Sequence, residues 1–286
     1  MSFKTINTKD ATTREIQSVL TTAVAPRPIA FASTVDADGN PNLSPFSFFN
    51  AFGANPPILI FSPARRGKGN TTKHTFDNVK EVPEVVINMV NFEMVEQMSL
   101  SSADFPKGVN EFEKAGFTPI PSESIRPFRV KESPVQFECS VQQVIETGTE
   151  GGAGNLVICH VNKIHINEDV LNSDGGLNSE LLDLVGRMGG NDYIRSSKAI
   201  FTIPKPSINI GIGIDALPEF IRTSSYLTGR ELARLGSLER LPEEKDMRHY
   251  SDRSAPEDIA FGQASSMIEE NNSWEALCYL MSLDKK

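Results

Sequence analysis

The sequence predicts a mainly β fold of the barrel type with peripheral helices and a helical C-terminal extension. Three observations predict it. Several short strand-like runs follow one another closely between residues 29 and 166, one or two helical stretches interrupt them, and from about Pro204 the chain turns to Pro-bounded helical segments. A doubly wound sheet would instead alternate strands with helices of comparable length.

The elements follow in chain order. Thr12-Thr13-Arg14-Glu15 has the capping-box pattern, and Ile16, Val19, Leu20 and Ala23 share one face, so a helix is expected up to Pro26. Ile29 to Val35 is β-prone, Asp36 to Asn40 has turn chemistry with Gly39 free to take positive φ, and Asn42 to Phe49 is a second run. A hairpin is predicted. The second run is unusual, because Pro45 deletes a ladder donor and two serines interrupt an aromatic segment, which suits a strand whose backbone and hydroxyls face a ligand. Ile58 to Phe61 and Val85 to Val90 read as strands buried on both faces. Between them, Asn70 is placed to cap a helix running through Thr71 to Val79.

Residues 92 to 133 form an excursion from the barrel, helical from Phe92 to Leu100 and otherwise rich in Pro, Ser and charge; loops of this size border binding sites. Val135, Phe137, Cys139 and Val141 alternate with Gln136, Glu138, Ser140 and Gln142, the pattern of a half-exposed antiparallel strand. Gly148 to Gly154 then reads as a flexible hairpin connection into a long strand from Asn155 to Ile166. In the extension, helix starts are predicted at Thr228-Gly229-Arg230-Glu231, Ser254-Ala255-Pro256-Glu257 and Asn272-Ser273-Trp274-Glu275. Trp274, Leu277, Leu280 and Met281 offer a packing face. The domain division expected is 1–203 for the barrel and 204–286 for the extension, packed on the barrel or on a partner subunit.

Composition narrows the function classes. With 286 residues, 39% hydrophobic and 23% charged, the chain can bury a full core, and no run approaches the roughly 18 apolar residues of a membrane span. The start Met1-Ser2-Phe3-Lys4-Thr5 has no apolar signal core, so the cytoplasm is the expected location. Cys139, Cys159 and Cys278 fit reduced, buried thiols better than a disulfide framework. A formal charge of −9 argues against a nucleic-acid partner. One patch runs the other way: Arg65, Arg66, Lys68 and Lys73 crowd four positive charges into nine residues. Alone they are a solvated loop or an anion site; a helix beginning just after them, with free N–H groups at the positive end of its dipole, favours the anion.

Several stretches together carry a resemblance. P-R-P-I-A at Pro26 to Ala30, S-T-V-D-x-D-G at Ser33 to Gly39, N-L-S-P-F-S-F-F-N at Asn42 to Asn50, N-P-P-I-L at Asn55 to Leu59 and G-R-M-G-G-N-D-Y at Gly186 to Tyr193 are similar to the flavin reductase family, whose domain is an FMN-binding split β-barrel. The resemblance spans roughly residues 20 to 200. It implies that Ser62, Lys73 and Thr75 hold the FMN phosphate, although His74 stands where the family's K-D-T pattern has Asp and the Gly67 to Thr72 approach is longer. It also implies that Thr34, Ser44, Phe46, Ser47 and Asn50 line the ring and ribityl chain; the other reading of Phe46, Phe48 and Phe49 is as core aromatics, and for Phe48 and Phe49 it is the favoured one. Arg187 and Tyr193 are the candidates for the nicotinamide side, with guanidinium charge and a phenol face. No catalytic acid or base is singled out, because hydride transfer from NADH or NADPH asks mainly for stacking of two rings.

The implied activity is NAD(P)H-dependent flavin reduction in a homodimer, and the final acceptor stays open between free flavin serving a monooxygenase component, ferric iron and an organic substrate. Two alternatives stay open: a non-catalytic FMN-binding or interaction protein, and an enzyme of the pyridoxamine-phosphate oxidase type. Other motifs fail on spacing. Cys159-His160 with His165 and Cys139 lacks zinc-site geometry, Gly211-Ile212-Gly213 lacks the third glycine of a dinucleotide fingerprint, and no G-x-S-x-G elbow is present.

Overall fold

The structure is a computed structural model that describes residues 2–203, 210–250 and 255–283. The chain forms two compact units, Met1–Phe201 and Thr202–Lys286. The first contains α1 (Thr13–Ala23), β1 (Ala30–Val35), β2 (Pro41–Phe46), β3 (Phe49–Ala54), β4 (Pro57–Phe61), α2 (His74–Glu81), β5 (Glu84–Asn88), α3 (Val95–Ser101) and α4 (Glu111–Ala115). It continues through the short β6 (Pro119–Ile120) and β7 (Arg129–Val130), the long β8 (Val135–Glu146) and β9 (Asn155–Ile166), α5 (Ser179–Leu182), β10 (Val185–Arg187) and β11 (Tyr193–Arg195).

Seven strands make one antiparallel sheet in the order β2-β1-β5-β8-β9-β4-β3. This is the predicted mainly β fold with peripheral helices. Every residue of β1 is buried, because its two faces meet different partners. Ala30 and Ala32 face the core with Phe61, Ile87, Cys139 and Val157, whereas Phe31 packs with Leu43 of β2 and with Met94, Met98 and Phe112 from the 92–133 excursion. A fully buried Phe or Leu contributes about 1.5–3 kcal/mol, so the excursion supplies much of the hold on the outer face of β1 and β2.

The N-terminal capping box forms as read: Glu15 N donates to Thr12 Oγ1 at 3.2 Å, and Thr12 N donates to the Glu15 carboxylate at 2.9 Å. The apolar face of α1 nevertheless lies open, with Val19, Leu20 and Val24 all exposed. Strand β9 occupies the predicted span.

Four local expectations are corrected. The run from Asn42 to Phe49 breaks at Ser47-Phe48, since β2 pairs with β1 while β3 turns away to pair with β4. Pro45 is tolerated because β2 is an edge strand and needs no donor on its outer side. Strand β4 buries Leu59 and Phe61 but leaves Ile58 and Ile60 half-buried, so one face only is covered. Asn70 caps no helix: it sits at φ 49°, accepts from Arg65 Nε at 2.7 Å and donates to Thr149 O at 2.9 Å, and α2 begins only at His74 after Lys73. In β8, Gln136 and Glu138 are buried rather than exposed. Glu138 accepts from the backbone N–H groups of Glu123 and Ser124, both at 2.8 Å, and pairs with His165 Nε2 at 2.8 Å.

The second unit contains α6 (Glu219–Arg222), α7 (Gly229–Gly236), α8 (Glu244–Met247), α9 (Glu257–Glu269) and α10 (Ser273–Leu283). Its own core joins Leu217, Ile221, Leu235, Phe261, Ile268 and Leu277. The Thr228/Glu231 capping box opens α7. The expected cap at Ser254 lies outside the described residues, as does Pro204. The G-x-G at Gly211 serves close packing: a Cβ there would lie 2.5 Å from Gly236 O, and Ile212 N donates to Leu238 O at 2.8 Å.

Candidate functional site

Two adjoining clefts open on the first unit and share Pro45, Ser47 and Ser102. The larger, about 440 Å³, is bounded by Ser44, Phe46 and Ser47 from β2 and the residue after it, by Ser62, and by Arg65, Arg66, Lys68 and Lys73. The second, about 380 Å³, is bounded by Ile29, Met98, Ser99, Arg187, Asn191 and Tyr193. One lobe is cationic and hydroxyl-lined, the other mixed, and the interrupted strand β2 divides them.

The cationic lobe is built by loop-to-loop ties. Arg65 N donates to Ala153 O at 2.9 Å and Gly152 N donates to Arg65 O at 3.0 Å, so the glycine-rich β8–β9 connection grips residues 65–70. Ser62 Oγ accepts from Asn155 N at 3.0 Å, which leaves its proton free to be donated. Arg66 Nε and Lys73 Nζ both reach Asp104 Oδ1 at 3.1 Å. These hydrogen bonds hold the Asp104 carboxyl below the usual carboxylate range. His74 beside them is pushed down, first by burial and then by Arg66, so it adds no positive charge near neutral pH.

In the second lobe the Arg187 guanidinium lies 4.5 Å from the centre of the Tyr193 ring and donates to Gly190 O at 2.6 Å. The pairing of β10 with β11 sets both residues opposite each other.

Of the residues singled out from sequence, Ser44, Phe46, Ser47, Ser62 and Lys73 line the larger cleft, and Arg187 and Tyr193 the second. Thr75 borders a small adjoining cavity with Ser44 and Lys73 but is almost wholly buried. Thr34 is fully buried beneath it, accepting from Asn78 Nδ2 at 3.1 Å, while Asn42 Nδ2 donates to Thr75 Oγ1 at 2.9 Å. Thr34 thus belongs to a polar cluster under α2 and lines neither cleft. Asn50 is exposed on β3, accepts from Ala51 N at 2.8 Å, and lines neither cleft.

Sequence reading missed Arg27, Ser102 and Asp104. Buried Arg27 donates to Ser47 Oγ at 3.3 Å, Val24 O at 3.0 Å, Met188 O at 3.0 Å and Thr21 O, joining the end of α1, the junction of the lobes and the β10–β11 turn. Its setting between Pro26 and Pro28 was the available signal, because prolines fix the chain direction around it. Asp104 carries no such mark, lying 31 residues from Lys73.

The comparisons agree with this architecture. A model described as the flavin reductase like domain matches residues 23–188. An uncharacterized protein of Halalkalibacterium halodurans is 35% identical over 206 residues, 71% of this chain and 97% of that one. Among solved structures, component B of nitrilotriacetate monooxygenase from Bacillus cereus is 29% identical with a TM-score of 0.65, covering 72% of this chain and 99% of its own. The 2-nitrobenzoate 2-nitroreductase NbaA of Pseudomonas fluorescens is 26% identical with a TM-score of 0.62, covering 71% and 97%. With the whole seven-stranded sheet and the strand that carries Ser44 and Phe46 inside the matched span, the chain belongs to the flavin reductase like domain family of flavin-related oxidoreductases.

Proposed function

We propose that this protein is an NAD(P)H-dependent flavin reductase that binds FMN in the larger cleft and receives NADH or NADPH from the side of the second. The observation that carries the reading is the junction at Ser47, where a cationic, hydroxyl-lined lobe meets a lobe bounded by Arg187 and Tyr193. The donor set fits a phosphorylated, flat heterocycle. Ser62, Arg66 and Lys73 offer a hydroxyl and two cations to the phosphate, and Ser44, Ser47 and the ring of Phe46 bound the space beside them. Thr34 supports α2 from beneath through Asn78, and Thr75, within α2, ties the helix to Asn42 of β2.

When bound, the flavin supplies the hydride-accepting chemistry. The protein's part is to bind, orient and exclude water: Arg27 fixes Ser47 through the 3.3 Å bond, and Arg187 and Tyr193, stacked on each other, form the wall against which a second ring is placed. Likeness to a monooxygenase component B supports a monooxygenase as the recipient of the reduced flavin.

Flavin binding is assigned to residues 1–203, with 204–286 a helical extension; a protein ending at residue 203 is expected to retain flavin. A homodimer is inferred from the uncovered apolar face of α1 and from Phe52, 63% exposed on edge strand β3. Sedimentation showing only monomer would refute it. The central test is an absorption spectrum after FMN addition and desalting, then anaerobic NADH or NADPH in separate cuvettes. Retained yellow colour that bleaches with one nucleotide supports the reading and names the donor; no flavin binding at micromolar concentrations removes it.

A further inference from the structure

We propose that Asp104 sets the affinity of the cationic lobe by holding Arg66 and Lys73 in the place of a ligand phosphate, which must displace the carboxylate in order to bind. The inference rests on the flavin reading only for the identity of the ligand.

Three observations carry it. Arg66 Nε and Lys73 Nζ converge on the same atom, Asp104 Oδ1, each at 3.1 Å. All three side chains border the larger cleft, so the ion triad stands in the cleft itself. The two cations are largely covered, at 20% and 29% side-chain exposure, whereas Asp104 is 67% exposed, so the carboxylate is the member with water on its outer side.

The Arg66 guanidinium is held from behind and the Lys73 backbone is held at the start of α2, whereas the Asp104 carboxylate is held by the two cations. Arg66 donates to Thr71 Oγ1 at 3.3 Å and to Thr72 O, and Lys73 is fixed at the start of α2. Asp104 sits between α3 and α4 on a segment whose neighbouring backbone bonds are local, Ala103 N to Leu100 O and Phe105 N to Ala103 O. It can leave without breaking the sheet. A single carboxylate satisfies two cations with one charge and one oxygen, whereas a phosphate monoester brings a charge near −2 and three oxygens. The exchange therefore favours phosphate, but less than empty cations would, because the ligand must first release Asp104 and water must hydrate it.

An affinity reduced in this way suits a flavin that comes and goes as a substrate. Asp104 is a specificity-setting residue and touches no reacting atom. The same competition applies to any phosphate monoester entering this lobe and to none that lacks the phosphate.

The test compares FMN with riboflavin, which differs from it by the phosphate alone, by fluorescence titration of the full chain and of D104N. FMN is expected to bind D104N about three- to tenfold more tightly, the ratio that two partly exposed ion pairs carry, with riboflavin unchanged. Asp104→Ser is expected to repeat the gain, and adding Lys73→Met to D104N to remove most of it. FMN affinity that is unchanged or weaker in both single variants, or a change equal for the two flavins, overturns the proposal. A thermal shift with inorganic phosphate separates it from the flavin reading. If neither flavin binds and phosphate still raises the Tm of D104N more than that of the wild type, the competition stands and the flavin assignment falls.

Discussion

Replacing Arg27 with Met tests whether one buried guanidinium ties the site together. Arg27 is 6% exposed and donates to Ser47 Oγ at 3.3 Å, to Val24 O and Met188 O at 3.0 Å each, and to Thr21 O. Methionine keeps the apolar stem and removes every donor. Hydrogen bonds from a charged donor contribute about 1.5–3 kcal/mol each. The bonds to Thr21 O and Val24 O are part-buried too, but they lie at a helix end beside exposed residues, where water replaces part of their loss. Met188 O and Ser47 Oγ are part-buried partners 161 and 20 residues away in the chain, and they forfeit more. Loss of the favourable cation at the C-terminal end of α1 adds about 0.3–1 kcal/mol. Against this, burial and the nearby Arg187 guanidinium already disfavour the charge on Arg27, and that opposition is relieved. The net expectation is a loss of about 3 kcal/mol from the first unit.

The assay is urea denaturation followed by far-UV circular dichroism at the sheet signal, with fluorescence in parallel. The one tryptophan, Trp274, lies in the second unit, so its transition is an internal control that R27M is expected to leave in place. A loss below about 1 kcal/mol in the sheet transition, or a shift of the Trp274 transition by the same amount, refutes the reasoning. R27M is also expected to weaken nicotinamide use more than flavin binding, since Met188 carries the turn beside Arg187.

Three further outcomes follow from the geometry. Gly151→Ala places a Cβ 3.0 Å from Gly67 O and 3.2 Å from Gly67 Cα, both backbone atoms, so the β8–β9 connection must back away from residues 65–70; FMN affinity is expected to fall severalfold by titration while the sheet transition holds. For Glu138, burial raises the carboxyl pKa, but bonds from Ser124, the Glu123 N–H and His165 outweigh it and bring the value to about 2. A folded pKa below the unfolded one gives stability that is fully present above about pH 4.5 and lost as the pH falls toward 2. Glu138→Gln is therefore expected to cost about 2–4 kcal/mol at pH 7, with the gap to wild type narrowing in acid urea titrations; a gap constant with pH contradicts the assignment. Burial pushes the thiol of Cys139 up to about 12 and that of Cys278 up to about 11, so neither is expected to react with a disulfide reagent at pH 8 until the protein is unfolded.

What could be read from the sequence was what neighbouring residues settle between themselves. The Thr12/Glu15 box, the turn from Asp36 to Asn40 and the span of β9 are local bargains of hydrogen bonding and side-chain period, and they appear where the pattern puts them. The interrupted Ser/Pro/Phe strand reads as a poor choice for a sheet interior, with its proline and two hydroxyls, and its Ser44, Phe46 and Ser47 line the larger cleft.

Tertiary structure decided which polar groups are inside. Glu138 alternates like a solvent-facing residue, yet the 123–124 backbone folds over it and supplies donors that no local pattern announces. Asn70 has the composition of a helix cap, but Arg65 and the Thr149 carbonyl bid for its side chain and leave α2 to start later. The motif places Thr34 and Asn50 beside Ser44 and Ser47, yet one is drawn beneath α2 by Asn78 and the other lies exposed on an edge strand. The ion triad of Arg66, Lys73 and Asp104 and the bonds of Arg27 to Ser47 and Met188 exist only once distant segments meet. A backbone pattern is set by residues within a turn of one another, whereas a buried charge takes its partners from wherever the fold brings them, and there the sequence alone is silent.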